Sequence, residues 1–285
     1  MQTGWLIYNK IDAKQNKSYI DWFQKEAEQQ NICLKLILRE HLMIGIMNNE
    51  RKILYKQSPV NPPDFAVIRT IEPMLNKFLE TQGVRVFNSS NVSHLCNHKA
   101  ITHYEISKLN IPMVDTYFFK KKDLTESPPL PYPFIMKGSN GRSGKQVYLI
   151  QSDDDWNQHR INTRSDDLLI QTCNVQLGID IRVFVIGKEI IGAVKRENKQ
   201  DFRANFKLGG TAKWYPLNQQ EAVIIHKIIQ NYHFDLVGID FLLDKDGNFL
   251  FNEIEDVVGS RTLSATSNIN LLHKYVLHIK NELTK

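Results

Sequence analysis

Cysteine is scarce in this sequence, and long apolar runs are missing from it. The 285 residues include three cysteines, Cys33, Cys96 and Cys173, which are odd in number and far apart. Such a set does not fit a disulfide framework and is typical of a reducing compartment. No stretch approaches the roughly 18 apolar residues of a membrane span, and the apolar run at the start is too short for a signal sequence. We therefore expect a cytoplasmic protein that does not cross a membrane.

The charge pattern lacks a block of one sign. Basic residues exceed acidic ones by 36 to 31, but they are scattered along the chain. Without a basic stripe or interleaved aromatic residues, nucleic-acid binding is not expected. The sequence also lacks a Walker A pattern and a serine–histidine nucleophile set. A content of 42% hydrophobic and 24% charged residues nevertheless indicates a folded protein of enzyme size.

Strand-like and helix-like patterns alternate in the first third of the chain. The apolar segments GWLIY, CLKLIL, DFAVIR and VRVFN are separated by helical patterns near 18–30 and 71–81. This alternation predicts a small α/β domain with a largely parallel sheet. Beyond a charged, proline-rich connector, KKKDLTESPPLPYP, strands predominate, and helices are expected at about 217–232 and 263–284. The expected class is α/β, with an α+β second part.

A predicted hairpin brings carboxylates together near the end of the chain. LVGIDFLL and NFLFNEIED flank Asp246-Gly247, which is a strong signal for a two-residue hairpin loop. In that register Leu243 faces Leu250, Phe241 faces Asn252 and Ile239 faces Ile254. On the other face Asp240 lies opposite Glu253, with Glu255 on the same side because strand side chains alternate.

These opposed carboxylates need compensation. At about 5 Å two like charges repel by roughly 3 kcal/mol at an effective dielectric near 20. A shared proton, or pairing with lysine or arginine from elsewhere, would relieve this repulsion. A bound Mg²⁺ ion would also relieve it, since Mg²⁺ takes oxygen ligands and commonly binds substrate phosphates as well. The hairpin pattern leaves these alternatives open.

A glycine-rich loop offers a phosphate site. The strand PYPFIMK ends at Lys137 and is followed by GSNGRSG, with Gly138, Gly141 and Gly144, and then by another strand. Glycines let backbone N–H groups surround phosphate oxygens, and lysine adds a point charge. A solvated hairpin tip is the alternative interpretation.

Charged residues also alternate in a third segment. In GIDIRVFVIGKEIIGAVKREN a turn at Gly187-Lys188 would set Asp180 opposite Lys195 and Arg182 opposite Ala193. An ordinary cross-strand ion pair is one interpretation of these charged residues. In DFRANFKLGG, Arg203 and Asn205 alternate onto one side, and arginine suits recognition of phosphate or carboxylate.

Taken in order, these segments resemble the ATP-grasp fold. Lys99, Lys137 with its glycine loop, DIR, DFRANFKLGG, GIDFLL and NEIE are similar to the corresponding motifs of RimK-type carboxylate–amine ligases, from about residue 93 to 260. The resemblance implies an amino-terminal α/β domain at 1–92, a central ATP-grasp subdomain at 93–175 with the phosphate loop, and a carboxy-terminal subdomain at 176–285 with the metal and substrate site.

The resemblance also implies roles for individual residues. ATP would be bound by Lys99, Lys137, the loop with Gly138, Ser139, Gly141, Ser143 and Gly144, the adenine segment Gln171, Thr172 and Cys173, and Asp180 and Asn205. The catalytic residues would be Arg203 and Arg182, with Arg203 also meeting the reacting carboxylate. Asp240, Glu253 and Glu255 would hold Mg²⁺, with two ions expected and Mn²⁺ as an alternative.

Three positions stand apart from this scheme. The family commonly has asparagine where this chain has Glu255, which adds a negative charge to the metal site, and an acidic residue where it has Thr172. Arg261 follows Gly259 and would either bind a substrate carboxylate or face solvent.

The implied activity is ATP-dependent amide formation. A carboxylate would attack the γ-phosphate to give an acyl phosphate, and an amine would then displace phosphate. The partners would be ATP, a carboxylate and an amine, with a peptide or protein acceptor among the candidates and a homo-oligomer compatible with the sequence. An ATP-binding module without ligase activity is the alternative function.

Overall fold

The computed structural model describes residues 1–140, 146–204 and 209–285. Its first part is a parallel four-stranded sheet in the order β2-β1-β6-β7. Alternate residues of β1 face opposite helices, since Leu6 packs with Phe23 while Ile7 packs with Phe78. The elements are β1 (Gln2–Tyr8), α1 (Lys10–Gln15), α2 (Lys17–Gln29), β2 (Ile32–Leu38), β3 (Leu42–Met47), β4 (Glu50–Tyr55), β5 (Ser58–Pro59), β6 (Phe65–Ile68), α3 (Pro73–Glu80), β7 (Arg85–Phe87) and α4 (Ser90–Cys96).

The parallel sheet confirms the predicted α/β character of this part. The antiparallel strands β3, β4 and β5 form a separate small sheet that the sequence patterns did not indicate. They lie between β2 and β6, so they extend a crossover connection without changing the order of the parallel strands.

The middle of the chain forms an antiparallel sheet in the order β10-β9-β11-β8. Its apolar face packs on Trp156 of a covering helix, which is fully buried against Phe134 and Met136. The elements are α5 (Lys99–Ser107), β8 (Thr116–Lys120), β9 (Phe134–Gly138), β10 (Val147–Ile150), α6 (Asp153–Asn162) and β11 (Asp167–Thr172).

The last part is an antiparallel sheet in the order β14-β13-β12-β15-β16. A helix at 217–232 was expected, and α7 begins there with a capping box between Asn218 and Glu221. The single helix expected at 263–284 is instead two helices, because the chain is not helical from 267 to 270 and Asn270 caps a new helix. The elements are β12 (Ile179–Ile186), β13 (Glu189–Glu197), β14 (Thr211–Trp214), α7 (Gln219–Asn231), β15 (Leu236–Leu243), β16 (Phe249–Glu255), α8 (Arg261–Thr266) and α9 (Leu271–Leu283).

A β-bulge corrects the predicted register of β12 and β13. Beyond an irregularity between Phe184 and Val185, Asp180 pairs with Arg196 and Arg182 pairs with Val194. The predicted partners Lys195 and Ala193 are therefore wrong by one residue. A bulge places one extra residue on one strand, so all pairs beyond it shift together.

A second bulge lies between β15 and β16. Asp240 pairs with Glu253 and Ile239 with Ile254, as predicted, but Phe241 pairs with Phe251 and Leu243 with Phe249. The predicted pairs with Asn252 and Leu250 are wrong because the connection spans residues 244–248 instead of two residues. At the bulge β16 has one extra residue, which cancels this offset. The carboxylates beyond the bulge therefore pair as predicted.

The first sheet and the five-stranded sheet share a core and polar contacts, whereas the middle sheet has a core of its own. One buried cluster joins Leu6 and Phe65 of the first sheet to Phe184 and Leu236 of the five-stranded sheet and to Tyr275 of α9. Asn88 donates to the carbonyl oxygens of Leu236 and Asp256, at 2.8 and 3.2 Å. The domain limits at 92 and 175 stay predictions.

No helix among the described residues combines the length and the apolar character needed to cross a bilayer.

Candidate active site

Two arginines and two aspartates form a buried ion network on one face of the five-stranded sheet. Arg196 donates to both oxygens of Asp180 at 2.6 Å each, and its Nη2 also donates to Asp240 Oδ2 at 2.8 Å. Arg182 donates to both oxygens of Asp240 at 2.7 and 2.6 Å. All four side chains are buried. Removing one member would leave an uncompensated buried charge, so the network holds its members in place.

The two aspartates respond differently to this environment. Burial raises the pKa of Asp180 to about 6, with Arg196 acting against this and the negative charge of Asp240 adding to it. Burial also acts to raise the pKa of Asp240, but Arg182 and Arg196 outweigh it and hold that pKa below its usual value. Asp240 therefore stays ionised at neutral pH.

Three carboxylates meet beside this network. Asp240, Glu253 and Glu255 each present an oxygen within 4.8 Å of the others. Hard oxygen donors of this kind suit Mg²⁺ or Mn²⁺. Asp240 accepts three hydrogen bonds from the arginines, and a carboxylate offers about four acceptor positions, so it keeps capacity for a cation. The donor set thus fits the predicted metal.

Cations balance the remaining negative charges. Lys99 Nζ lies 3.3 Å from Glu253 Oε2, and Arg182 Nη1 lies 2.8 Å from Glu255 Oε2. Glu255 adds a negative charge where the family commonly has asparagine. This charge is paired with Arg182.

The bulge on β16 brings Asn252 into the site. Lys137 Nζ donates to Asn252 Oδ1 at 2.8 Å. Burial lowers the pKa of Lys137 to about 8, with Glu253 acting against this and Lys99 adding to it. Lys137 is therefore mostly protonated at neutral pH, and its charge lies between β9 and the carboxylate strand.

His103 supports this arrangement from α5. Its Nε2 lies 2.9 Å from the carbonyl oxygen of Asn252, and its ring packs edge-on against Phe251. Because a carbonyl oxygen only accepts, Nε2 carries the proton. Burial lowers the pKa of His103 to about 3, so the ring is neutral at physiological pH.

The residues after Lys137 tie the lysine helix to the middle sheet. The backbone N–H of Lys99 donates to Ser139 O, and Ser139 N–H donates to Asp167 O, both at 2.9 Å. An added Cβ at Gly138 would meet Gln146 Oε1 at 2.2 Å and Ser165 Cβ at 2.9 Å, so a side chain there would force Gln146 and Ser165 to shift. Ser139 Oγ is buried and has no hydrogen-bond partner in the described part of the chain.

The expected adenine segment lies at the end of β11. Gln171 is buried and donates to Thr116 Oγ1 at 2.8 Å. The N–H of Thr172 donates to Asp115 O at 3.1 Å. Burial raises the pKa of the half-buried Cys173 thiol, and Lys137 opposes the shift. The segment thus borders the lysine side of the cluster.

Two further predicted residues, Arg203 and Arg261, lie outside the strands. Arg203 pairs with Asp201, with Nη2 2.6 Å from Oδ2, and stacks on Phe202. Arg261 is exposed at the start of α8. Their roles stay predictions, as do those of Gly141, Ser143, Gly144 and Asn205, which lie outside the described residues.

Sequence patterns missed Arg196, Asn252 and His103. The first two were hidden by the one-residue shifts at the bulges, although both adjoin residues that were singled out. His103 follows Lys99 by one helical turn on α5, and that spacing was its only signal.

Two antiparallel sheets that meet at a cluster of lysines, arginines and carboxylates define the ATP-grasp fold. Over its whole length the chain superposes on D-alanyl-alanine synthetase A from Vibrio cholerae, with a TM-score of 0.76, 13% identity and 99% of that chain covered. The chain belongs to the RimK-like ATP-grasp family, whose model matches residues 93–279. The resemblance seen in the sequence motifs is confirmed.

Two named relatives share about a quarter of their aligned residues with this chain. The chain is 26% identical over 271 residues to the glutamate–LysW ligase ArgX of Sulfurisphaera tokodaii, which covers 90% of this chain and 96% of the relative. It is 25% identical over 253 residues to beta-citrylglutamate synthase B of Danio rerio, which covers 83% of this chain. The match spans 62% of the length of that synthase.

Proposed function

We propose that this protein is an ATP-dependent carboxylate–amine ligase that forms an amide bond through an acyl phosphate and releases ADP and phosphate. The observation that carries the proposal is the meeting of Asp240, Glu253 and Glu255 with Lys99 and Lys137 on facing elements. Phosphoryl transfer depends on positioning and charge neutralisation, and the site consists of residue types that supply both. The ligase names of the relatives support the same reaction class.

A bound divalent cation would neutralise phosphate charge at Asp240, Glu253 and Glu255, with two Mg²⁺ ions expected and Mn²⁺ as an alternative. The substrate carboxylate oxygen attacks the γ-phosphorus and the bond to ADP breaks. The amine nitrogen then attacks the acyl carbon, phosphate leaves, and the nitrogen loses a proton.

The protein's own cations guide these steps. Lys99 and Lys137 contact carboxylate and amide oxygens that phosphate oxygens can replace. Arg182 donates to both oxygens of Asp240, so the orientation of this carboxylate is fixed. Lys99 and Lys137 bind the phosphates, while Arg182 and Arg203 stabilise the charge that develops on the reacting oxygens.

The proposed substrates are ATP, a small carboxylate or a peptide or protein carboxylate, and an amino acid or other amine. We also propose a cytoplasmic location, in keeping with the three free cysteines.

The rival function is an ATP-binding module without ligation. Glu255 favoured it, because an added carboxylate suggested an altered metal site. Its pairing with Arg182 at 2.8 Å balances that charge and weakens the argument.

The test is an ADP-release assay that crosses amino acids with candidate carboxylates in Mg²⁺ and in Mn²⁺. A ligase sustains ADP release over many turnovers only when both substrates are present and forms one amide per ADP, as mass spectrometry would show. Tight nucleotide binding without substrate-dependent ADP release would favour the binding module.

A further inference from the structure

Arg69 lies at an edge of the amino-terminal sheet where a ligand is expected. It follows β6 directly, and Tyr8 is the last residue of the neighbouring parallel strand β1. In open α/β sheets, ligands bind outside the carboxyl ends of the parallel strands. Both side chains therefore lie at the ligand-binding edge of this sheet.

The Arg69 guanidinium is surrounded by phenol rings. Its Nε lies 3.2 Å from Tyr8 Oη, and its Cζ lies 5.4 Å from the centroid of the Tyr19 ring. Its Nη2 donates to the carbonyl oxygen of Val258 at 3.0 Å. Tyr19 Oη is buried and has no hydrogen-bond partner in the described structure. The Arg69 guanidinium thus lies beside the Tyr19 ring, and both side chains have unused hydrogen-bonding capacity.

Arg69 also lacks a counter-charge. Within residues 1–140, 146–204 and 209–285, Arg39, Arg85, Arg182 and Arg196 each pair with a carboxylate, whereas Arg69 pairs with none. The two segments outside these ranges contain no aspartate or glutamate. Partly buried arginines are usually paired, so this environment is suited to an anion supplied from outside the chain.

Val258 connects this position to the carboxylate cluster. Its side chain lies over Gly238, where an added Cβ would meet Val258 Cγ2 at 2.7 Å and Arg182 Cδ at 3.5 Å. Arg69 therefore contacts the backbone of Val258, while Arg182 lies beside the side chain of the same residue. A substrate that reacts at the Arg182 side and carries a second charged group has a cation available on the other side.

We propose that Arg69, with the hydroxyls of Tyr8 and Tyr19, binds a second carboxylate of the substrate, one that does not react with ATP. The substrate class is then a dicarboxylic acid. The fork of N–H donors on arginine matches a carboxylate, and Tyr19 Oη gains the acceptor that it lacks. This inference rests on the proposed ligase function for the identity of the anion.

The probes are succinate, glutarate and adipate, each compared with the monocarboxylate of equal carbon number, in the presence of Mg²⁺ and a non-hydrolysable ATP analogue. Calorimetric titration gives the affinity of wild type, Arg69→Met, Arg69→Lys and Tyr19→Phe. Arg39→Met is the matched control, because Arg39 follows the neighbouring strand β2 but already pairs with Glu72 at 2.8 Å.

We expect at least one dicarboxylate to bind the wild type more tightly than its monocarboxylate counterpart. Arg69→Met should weaken that binding by roughly tenfold to 100-fold, the effect of losing a hydrogen bond to a charged group, and leave monocarboxylate binding unchanged. Arg69→Lys should recover part of the loss, Tyr19→Phe should weaken binding without lowering Tm, and Arg39→Met should match wild type. Equal affinity for both acid classes in the wild type, or no loss in Arg69→Met, would overturn the proposal.

Two further readouts separate this inference from the ligase function. If Arg69→Met weakens binding of the ATP analogue instead of the acid, the anion is a nucleotide phosphate and the proposal fails. If the wild type releases no ADP with any carboxylate and amine, the ligase function fails, while the difference between Arg69→Met and wild type in acid binding still decides the role of Arg69.

Discussion

Arg196 joins two buried aspartates, because its Nη2 donates to Asp180 Oδ2 at 2.6 Å and to Asp240 Oδ2 at 2.8 Å. One guanidinium thus holds the carboxylate that belongs to the metal candidates and a second carboxylate behind it. The stability of the fold and the geometry of the site depend on the same side chain.

Arg196→Met should therefore be strongly destabilising. Loss of the guanidinium removes both hydrogen bonds from Arg196 to Asp180 and leaves Asp240 with Arg182, and breaking a buried ion pair costs about 3–5 kcal/mol. Urea unfolding followed by circular dichroism measures the change. Lys195→Met is the matched control, because the bulge in β12 and β13 pairs Asp180 with residue 196 and leaves 195 outside the network. A larger loss in Lys195→Met than in Arg196→Met would contradict the observed register.

Glu253→Gln and Arg203→Ala should each abolish ADP formation while leaving the fold intact. Gln has nearly the same shape as Glu but lacks the charge that a divalent cation needs, and removal of one group that stabilises the transition state costs about 100-fold or more. The measurement is ADP release under saturating substrates, with thermal unfolding as the check on folding. Asp246→Asn, at the exposed end of the same hairpin, is the control and should keep wild-type turnover. Wild-type-like turnover in either active-site variant would remove that residue from the mechanism.

Glu255→Asn should raise the Mg²⁺ concentration needed for half-maximal activity. The variant has the residue that is common in the family, but it lacks one anionic ligand and the partner of Arg182 Nη1. We expect an increase of roughly tenfold, since ligand charge and supporting contacts set metal affinity. Titration of ADP release with Mg²⁺ and with Mn²⁺ gives the result, and Glu197→Gln, on β13, serves as the control. An unchanged metal requirement would show that Glu255 acts through Arg182 alone.

His103 should make the protein less stable in acid. Its pKa is about 3 in the folded state and its usual value is 6.5, so the unfolded chain binds the extra proton. The stabilisation is complete above pH 6.5 and is lost as the pH falls towards 3. Between pH 7 and pH 5 the wild type should lose about 2 kcal/mol more than His103→Gln, which keeps a donor for Asn252 O but does not titrate. Urea unfolding at the two pH values tests this, and parallel losses in both proteins would exclude His103 as the cause.

Much of the site could be predicted because its charged residues alternate on strands. Asp240 and Glu253 were paired correctly from the hairpin, and Glu255 shares their face. Arg196 and Asn252 were missed because a bulge shifts every pair on one side by one residue, and no local pattern marks where the extra residue lies. The family resemblance supplied the ATP and metal roles, which strand alternation alone left open.

The break between α8 and α9 has a similar explanation. The apolar spacing of residues 263–284 fits one helix, but Ser267 Oγ bonds to Leu263 O and Asn270 caps His273 N. Short polar side chains that bond to nearby backbone favour a helix end over a continuous helix.

Asn88 links the amino-terminal part of the chain to the five-stranded sheet, so its contacts are relevant to truncation of the amino-terminal part. Its side chain bonds to the backbone of Asp235, Leu236 and Asp256, and the same region shares one apolar core with the first sheet. A fragment beginning at residue 93, where the family match starts, would lack these bonds and would expose Phe184 and Tyr275 to water. We therefore expect that the portion matched by the family model does not fold on its own, and that truncation at that limit yields an aggregating polypeptide.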